Sequence, residues 1–286
     1  MSIAGGLHLA AERAQTAGCD CLQVFTKNNN QWQCKPLSAG DCAQFVKAIH
    51  DTRLAEPIAH SSYLINCASP VDELWDKSLE ALVVEWQRCE QLQIAGLVMH
   101  PGAHTTSTPE QGLERIAQAV QTAIERVEPK CCRLLLENTA GQGSCLGWQI
   151  EQLGWLLAAI DSPHVGICWD TCHALAAGYD FRTAKGLKEL TQQLEQHAVL
   201  PRIAAIHVND SKKDCGSRVD RHGHIGVGHI GEEAFRRFLR SSAFKGLPMF
   251  LETPKEIDPD SGLEWDVKNL ATLRRLAGLR PRAVPQ

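Results

Sequence analysis

VGICWDTCHALAAGYD, residues 165–180, runs an unbroken apolar stretch into two metal-binding side chains: the run stops at Asp170, and His173 follows in the turn toward a helix. A short apolar run that ends on a polar group describes a buried parallel strand whose last residue reaches a rim. Working outward, the pattern recurs in PIAHS at His60, LVMHP at His100, LLLEN at Glu137, IHVND at His207 and FLETP at Glu252, and in LQVFTKN, which stops at Lys27, polar but not a ligand. One such ending says little, because His, Asp and Glu are ordinary strand-end residues. Six ligand-type endings in succession point to parallel strands that deliver polar groups to one shared rim, the C-terminal face of a TIM (β/α)8-type barrel.

Between the strand candidates lie amphipathic stretches with helical spacing at 38–52, 70–92, 109–127, 150–160, 183–200, 231–239 and 263–277. Strand, loop and helix therefore alternate along the chain. Pro70 and Pro109 are read as first-turn prolines, and Ser38 and Thr183 as N-caps. A chain of 286 residues matches the size of one such barrel, with no linker or low-complexity segment, so one domain is expected over 1–286, its basic, proline-containing end at 279–286 frayed.

Twelve cysteines are scattered without a CxxC pair, which reads as reduced thiols in the cytoplasm and argues against paired-cysteine zinc. The N-terminus lacks a secretory signal, and no run approaches the roughly 20 apolar residues of a membrane span. A soluble protein is expected. The formal charge of −4 excludes a generally basic nucleic-acid coat, but it counts carboxylates that three divalent cations would more than neutralise inside one cleft.

D-x-x-H at Asp170 and His173 lets two ligands leave one short loop in different directions, which suits neighbouring metals. A second dense segment, IHVNDSKKDCGSRVDRHGHIGVGHIG (206–231), combines His207, the D-x-H pair Asp220 and His222, and the cations Lys212, Lys213 and Arg218. Positive side chains beside acid and histidine ligands are what a metal-bound phosphate needs, although a solvated charged turn has the same composition. His8, His50, His164 and His197 read as surface residues, whereas His104, His224 and His229 lie near ligands and are open between site support and substrate contact. The G-x-G patterns at Gly141 and Gly226 read as tight turns.

LLLENTAGQG, VGICWDTCHALAAGYD and HVNDSKKDCGSRVDRHGHIGVG, with FTKNNNQW, HSSYLIN, VMHPGAH and MFLETP in the same order, resemble the endonuclease IV family of zinc-dependent apurinic/apyrimidinic endonucleases from Ser2 to about Glu264. The resemblance implies nine ligands and three zinc ions. His60, His100 and Glu137 would hold the first; Glu137 would bridge to a second held by Asp170, His207 and Glu252; His173, Asp220 and His222 would hold the third. Glu137 and Glu252 are the expected catalytic groups. The residues alone also admit manganese or iron, so zinc rests on the resemblance. The implied substrate is double-stranded DNA with abasic sites or blocked 3′ ends, cut 5′ to the lesion to leave a 3′-hydroxyl and a 5′-deoxyribose phosphate, by a monomer with no membrane partner.

Such an enzyme must flip the damaged nucleotide, and loop residues that would fill the gap or hold the backbone are Asn30, Gln31, Tyr63, Leu64, Lys212, Arg218 and Arg221. The family often carries arginine where this chain has Asn30. Trp32 reads as rim packing. Two other classes fit parts of the pattern: a metal-dependent sugar isomerase or epimerase on a related barrel, which leaves Asp220 and His222 without work, and a non-catalytic metal-dependent nucleic-acid binder.

The family has a strand of the type IGAHV before the segment matching Ser2–Gly6, and here only Met1 precedes it. Seven strand candidates remain where closure takes eight. The expectation is a barrel open beside the strand that ends at Lys27, with Met1 an internal methionine taken as the start.

Overall fold

In the computed structural model, residues 1–280 are described, so six positions of the expected frayed tail lie outside them. In chain order the elements are α1 (His8–Thr16), β1 (Cys21–Val24), α2 (Ala39–Thr52), β2 (Ala55–His60), α3 (Asp72–Gln91), β3 (Gly96–Met99), α4 (Pro109–Val127), β4 (Arg133–Glu137), α5 (Ile150–Ile160), β5 (Val165–Asp170), α6 (Thr171–Ala177), α7 (Ala184–Gln196), β6 (Ile203–His207), β7 (Asp210–Ser211), β8 (His222–Gly223), α8 (Glu232–Arg240), β9 (Met249–Phe250) and α9 (Trp265–Ala277). Seven strands form one parallel sheet in the order β1-β2-β3-β4-β5-β6-β9, and β7 pairs antiparallel with β8. This is the TIM-barrel architecture, nearly closed.

Local chemistry explains the helix starts. Ser38 and Thr108 each form a reciprocal capping box, with Asp41 and Gln111, and Thr183 accepts from the Gly186 amide. Pro109 occupies the first turn of α4, but Pro70 stands outside α3, whose N-cap is Val71. Two helices escape the sequence pattern. In α1 the buried face is Ala10, Ala11 and Ala14, too small to register as an apolar stripe, and α6 is only seven residues long.

The sheet places its side chains by period two. One interior layer consists of Ile58, Val98, Leu135, Cys168, Ala205 and Phe250. Each stands two residues before one of His60, His100, Glu137, Asp170, His207 and Glu252, so those six side chains form the next layer up, at the rim. The outer faces pack against the helices in a larger core that includes Phe45, Trp86 and Trp169.

β1 does not end where the sequence suggested. It stops at Val24, and Lys27 lies beyond it, buried against Glu85 on α3 at 3.2 Å. By the same period, Cys21 packs on the interior layer and Gln23, two residues on, takes β1's rim position. β1 and β9 are the two edges of the sheet. Across the seam, the Cys21 thiol donates to the Met249 carbonyl at 3.4 Å; the Met1 ammonium, which lines the same gap, donates to the Gln23 carbonyl of β1 at 2.5 Å. A narrow cleft of about 100 Å³ runs between Cys21, Gln23, Met249 and Leu251.

Candidate metal centre

All nine side chains singled out as ligands converge on the barrel rim in three overlapping groups: His60, His100 and Glu137; Glu137, Asp170, His207 and Glu252; His173, Asp220 and His222. Within each group the ligand-type atoms lie within 4.8 Å of one another. Six of them stand at or just beyond strand ends, α6 carries His173, Asp220 lies in the loop before β8, and His222 is the first residue of β8. Asp170 has two tasks, because its carboxylate also caps α6 by accepting from the His173 amide at 2.7 Å. That cap turns the chain so that His173 faces the neighbouring group. A further group, Asp170, Cys172 and His222, overlaps these.

Glu137 is fully buried, and its two oxygens face different groups. Oε2 lies 3.2 Å from His60 Nε2 and 3.1 Å from His100 Nε2, while Oε1 lies 2.8 Å from His207 Nδ1. This is bridging geometry. On the far side, Asp220 lies 3.2 Å from His173 Nε2 and 3.4 Å from His222 Nε2.

Four of the histidines have one ring nitrogen fixed by an oxygen that can only accept, which leaves the other nitrogen bare toward the centre. His60, His173 and His222 each donate through Nδ1 to a backbone carbonyl, of Ser61, Asn138 and Glu252 respectively. His207 is turned the other way: Nε2 donates to the Gln23 side-chain oxygen at 2.7 Å, and Nδ1 faces Glu137 and Glu252. Asn138 and Asn209 fix the chain at Asp170 and Glu252. Asn138 exchanges hydrogen bonds with the Asp170 backbone, and Asn209 donates to Asp170 Oδ2 at 2.7 Å while accepting from the Glu252 amide at 2.8 Å.

The electrostatics are those of a site built for cations. Burial opposes charge on Glu137, but His207, His100 and His173 hold its carboxyl well below the ordinary value. Asp220 is likewise brought down to about 2 by His173 and His222 in spite of burial. Burial pulls His173 and His207 down, yet Asp170, Asp220 and Glu137 around the first, and Cys168, Glu252 and Glu137 around the second, raise both well above the usual imidazole value. In these positions protons and divalent cations compete for the same lone pairs.

The residues fit a metal. His173 Nε2 and His222 Nε2 are buried without a hydrogen-bond partner, although carboxylate oxygens stand within reach of a shared ion. An unsatisfied buried imidazole nitrogen is costly, and a cation between it and the carboxylates satisfies both. Histidine nitrogens and carboxylate oxygens suit zinc, manganese or iron.

Above the ligands opens a cleft of about 580 Å³, lined also by Tyr63, Gln142, Lys212, Arg221 and Pro254. Tyr63 is 56% exposed and leans over His60 and His100, with ring centroids 5.1 and 6.0 Å away. Leu64 is half-buried beside it, and Asn30 and Gln31 are exposed on the loop after β1. Arg218 is not among the lining residues: it stacks on Trp148 at 4.3 Å. Trp32 is half-buried under Lys77. His104, His224 and His229 join none of the metal-type groups among the described residues; His224 stacks on Trp265 at 3.9 Å.

Sequence reasoning missed Gln23, Asn138, Asn209 and Gln142. Asn138 directly follows Glu137 and Asn209 follows His207 by two, so their place beside ligands was visible although their task was not. It also missed Glu85 and Arg88 on α3. Glu85 accepts from the Ser62 amide and pairs with Lys27, which in turn donates to the Gln31 carbonyl. Arg88 donates to the Thr26 and Lys35 carbonyls. One helix thus holds the loops that carry Asn30, Gln31, Tyr63 and Leu64.

Residues 11–273 match the family described as xylose isomerase-like TIM barrel. A probable endonuclease 4 of Geobacter sulfurreducens is 45% identical over 281 residues, covering 98% of this chain and 94% of that one. This chain belongs to the endonuclease IV family. The solved endonuclease IV of Thermus thermophilus superposes with a TM-score of 0.85 at 32% identity, covering 97% of both chains. A D-psicose 3-epimerase of Clostridium cellulolyticum shares the fold alone, with a TM-score of 0.63 at 15% identity. The family's nuclease and DNA-repair character and its metal dependence therefore frame the rim site.

Proposed function

We propose that this protein is a DNA-repair hydrolase that cuts the phosphodiester 5′ to an abasic site, leaving a 3′-hydroxyl and a 5′-deoxyribose phosphate, and that trims blocked 3′ ends by the same chemistry. The observation that carries this reading is the convergence of nine ligand-type side chains in three overlapping groups under a cleft whose lining includes Lys212 and Arg221. Membership of the endonuclease IV family supports it. In this reading the protein acts as a monomer in the cytoplasm. No helix among the described residues is long and apolar enough to cross a membrane.

The first zinc would be held by His60, His100 and Glu137, the second by Glu137, Asp170, His207 and Glu252, and the third by His173, Asp220 and His222. Bound there, closely spaced divalent cations supply Lewis acidity at the phosphoryl oxygens and lower the pKa of water toward neutrality. The protein's own groups do the positioning. Glu137 fixes the spacing of the first two groups through its two oxygens. Glu252, whose carboxylate reaches the cleft, orients the attacking water by accepting its hydrogen bond. Lys212 and Arg221 hold the phosphate from the rim. Tyr63 and Leu64 fill the space that the flipped nucleotide vacates, while Asn30 and Gln31, with Arg218 further out, contact the backbone.

The test is a side-by-side assay of zinc-loaded protein on duplex DNA with one abasic site, undamaged duplex and a panel of ketoses and aldoses. Cleavage confined to the abasic strand is expected. Sugar interconversion without DNA cleavage would assign the site to isomerase chemistry, and DNA binding without cleavage would assign it to a non-catalytic binder.

A further inference from the structure

Of the seven parallel strands, six place a ligand-type side chain in the rim layer, and β1 places Gln23 there. Its amide joins two members of the second group. Oε1 accepts from His207 Nε2 at 2.7 Å, and Nε2 donates to Glu252 Oε1 at 2.6 Å. The consequence for His207 is a fixed tautomer: with the proton on Nε2, the Nδ1 lone pair points at the group, 2.8 Å from Glu137 Oε1 and 3.1 Å from Glu252 Oε2. For Glu252, one oxygen is occupied and the other is turned inward.

We propose that Gln23 is a positioning residue of the second metal group, setting the tautomer of His207 and the rotation of Glu252 with one amide and so controlling how firmly that group holds its cation. The inference rests on the metal reading of the rim. Three points carry it. First, the two contacts demand opposite polarity, an acceptor toward His207 and a donor toward Glu252, which an amide supplies and neither a carboxylate nor an alkyl chain does. Second, His60, His173 and His222 are oriented by backbone carbonyls that no substitution removes, whereas His207 is oriented by a side chain. Third, Gln23 lies on an edge strand, and its bond to Glu252 ties β1 to the segment after β9 across the seam. The geometry of the second group therefore depends on a side-chain bond that spans the seam.

Partners that orient ligating histidines typically change metal affinity by about 10- to 100-fold when removed. The test compares zinc-loaded wild type with Gln23→Leu, which loses both bonds, and Gln23→Glu, which keeps an acceptor toward His207 but sets a second carboxylate against Glu252. Zinc retained per chain is followed during timed dialysis against a chelator. Histidine tautomers are read by 15N NMR of histidine-labelled protein, in which His207 alone of the four is protonated on Nε2. Expected is loss of one zinc at least about tenfold faster from both variants, the remaining zinc leaving at the wild-type rate, with the Nε2-protonated signal lost in Gln23→Leu and kept in Gln23→Glu. Uniformly faster loss of all zinc would assign Gln23 a general structural role and overturn the proposal. So would retention and tautomers unchanged in both variants. A wild type that holds no zinc would overturn the metal reading itself, a different result from a wild type that holds zinc and variants that match it.

Discussion

The two oxygens of Glu137 face different groups of candidate ligands. Glu137→Gln removes the negative charge that, on the proposed reading, two cations would share, and replaces one oxygen with a donor. Cleavage of abasic DNA is expected to fall below detection, with zinc content reduced; a variant that keeps its zinc and a rate within about tenfold of wild type would remove the bridge from the account. Tyr63 makes the opposite prediction. Tyr63→Ala leaves the candidate ligands in place and, if the ring fills space in the DNA as proposed, is expected to weaken binding of abasic DNA at one fixed salt concentration with zinc content unchanged; equal affinity would return it to packing on His60 and His100. The nine side chains that converge on the rim were legible in the sequence because strand ends and the D-x-x-H and D-x-H pairs announce themselves. Gln23, Asn138 and Asn209 were not, because an amide that orients a ligand has no pattern of its own until the strand register is known. Lys27 misled for a related reason: the apolar run LQVF continues past the last ladder residue, so the apparent strand end fell beyond the true rim position.

At the element scale, α3 does more than cover the sheet. Glu85 and Lys27 have side chains 1% and 4% exposed and pair at 3.2 Å, out of reach of solvent screening. Glu85→Ala leaves Lys27 buried without its partner and strips the Ser62 amide of its acceptor, a change expected to cost about 3–5 kcal/mol in denaturant unfolding. It should also loosen the loops bearing Gln31 and Tyr63, weakening abasic-DNA binding while zinc content holds. A loss below about 1 kcal/mol, the size of an exposed pair, would show that water reaches the site and that the clamp is weak. Helix starts were legible at Ser38 and Thr183, read as N-caps, and at Pro109, read as a first-turn proline. α1 was not, since alanines buried against the sheet carry no apolar contrast.

At the scale of the whole molecule, two features set stability: the seam and the charge of the rim. Edge strands present unpaired backbone groups to solvent, so amides of β1 and β9 are expected to exchange with deuterium faster than those of β3, β4 and β5, and equal protection across the sheet would mean the seam does not open. In metal-depleted protein the signs of the pKa shifts differ by residue. His173 and His207 are raised above 6.5, so their contribution is fully present below that pH and lost as pH rises through their folded values. Asp220 is lowered from 3.8 to about 2, so its contribution is present above 3.8 and lost as pH falls through about 2. Metal-depleted protein should therefore melt highest in mildly acidic buffer, and zinc should raise the melting temperature most toward neutral and alkaline pH, where it replaces the missing protons. A melting temperature of metal-depleted protein that climbs steadily through neutrality would contradict this balance.

Metal analysis of freshly purified, fully active protein decides whether the three groups act as one multi-metal centre. Three overlapping groups predict about three divalent metal ions per chain, with zinc prominent among them. A content near one ion per chain in protein at full activity on abasic DNA would contradict it.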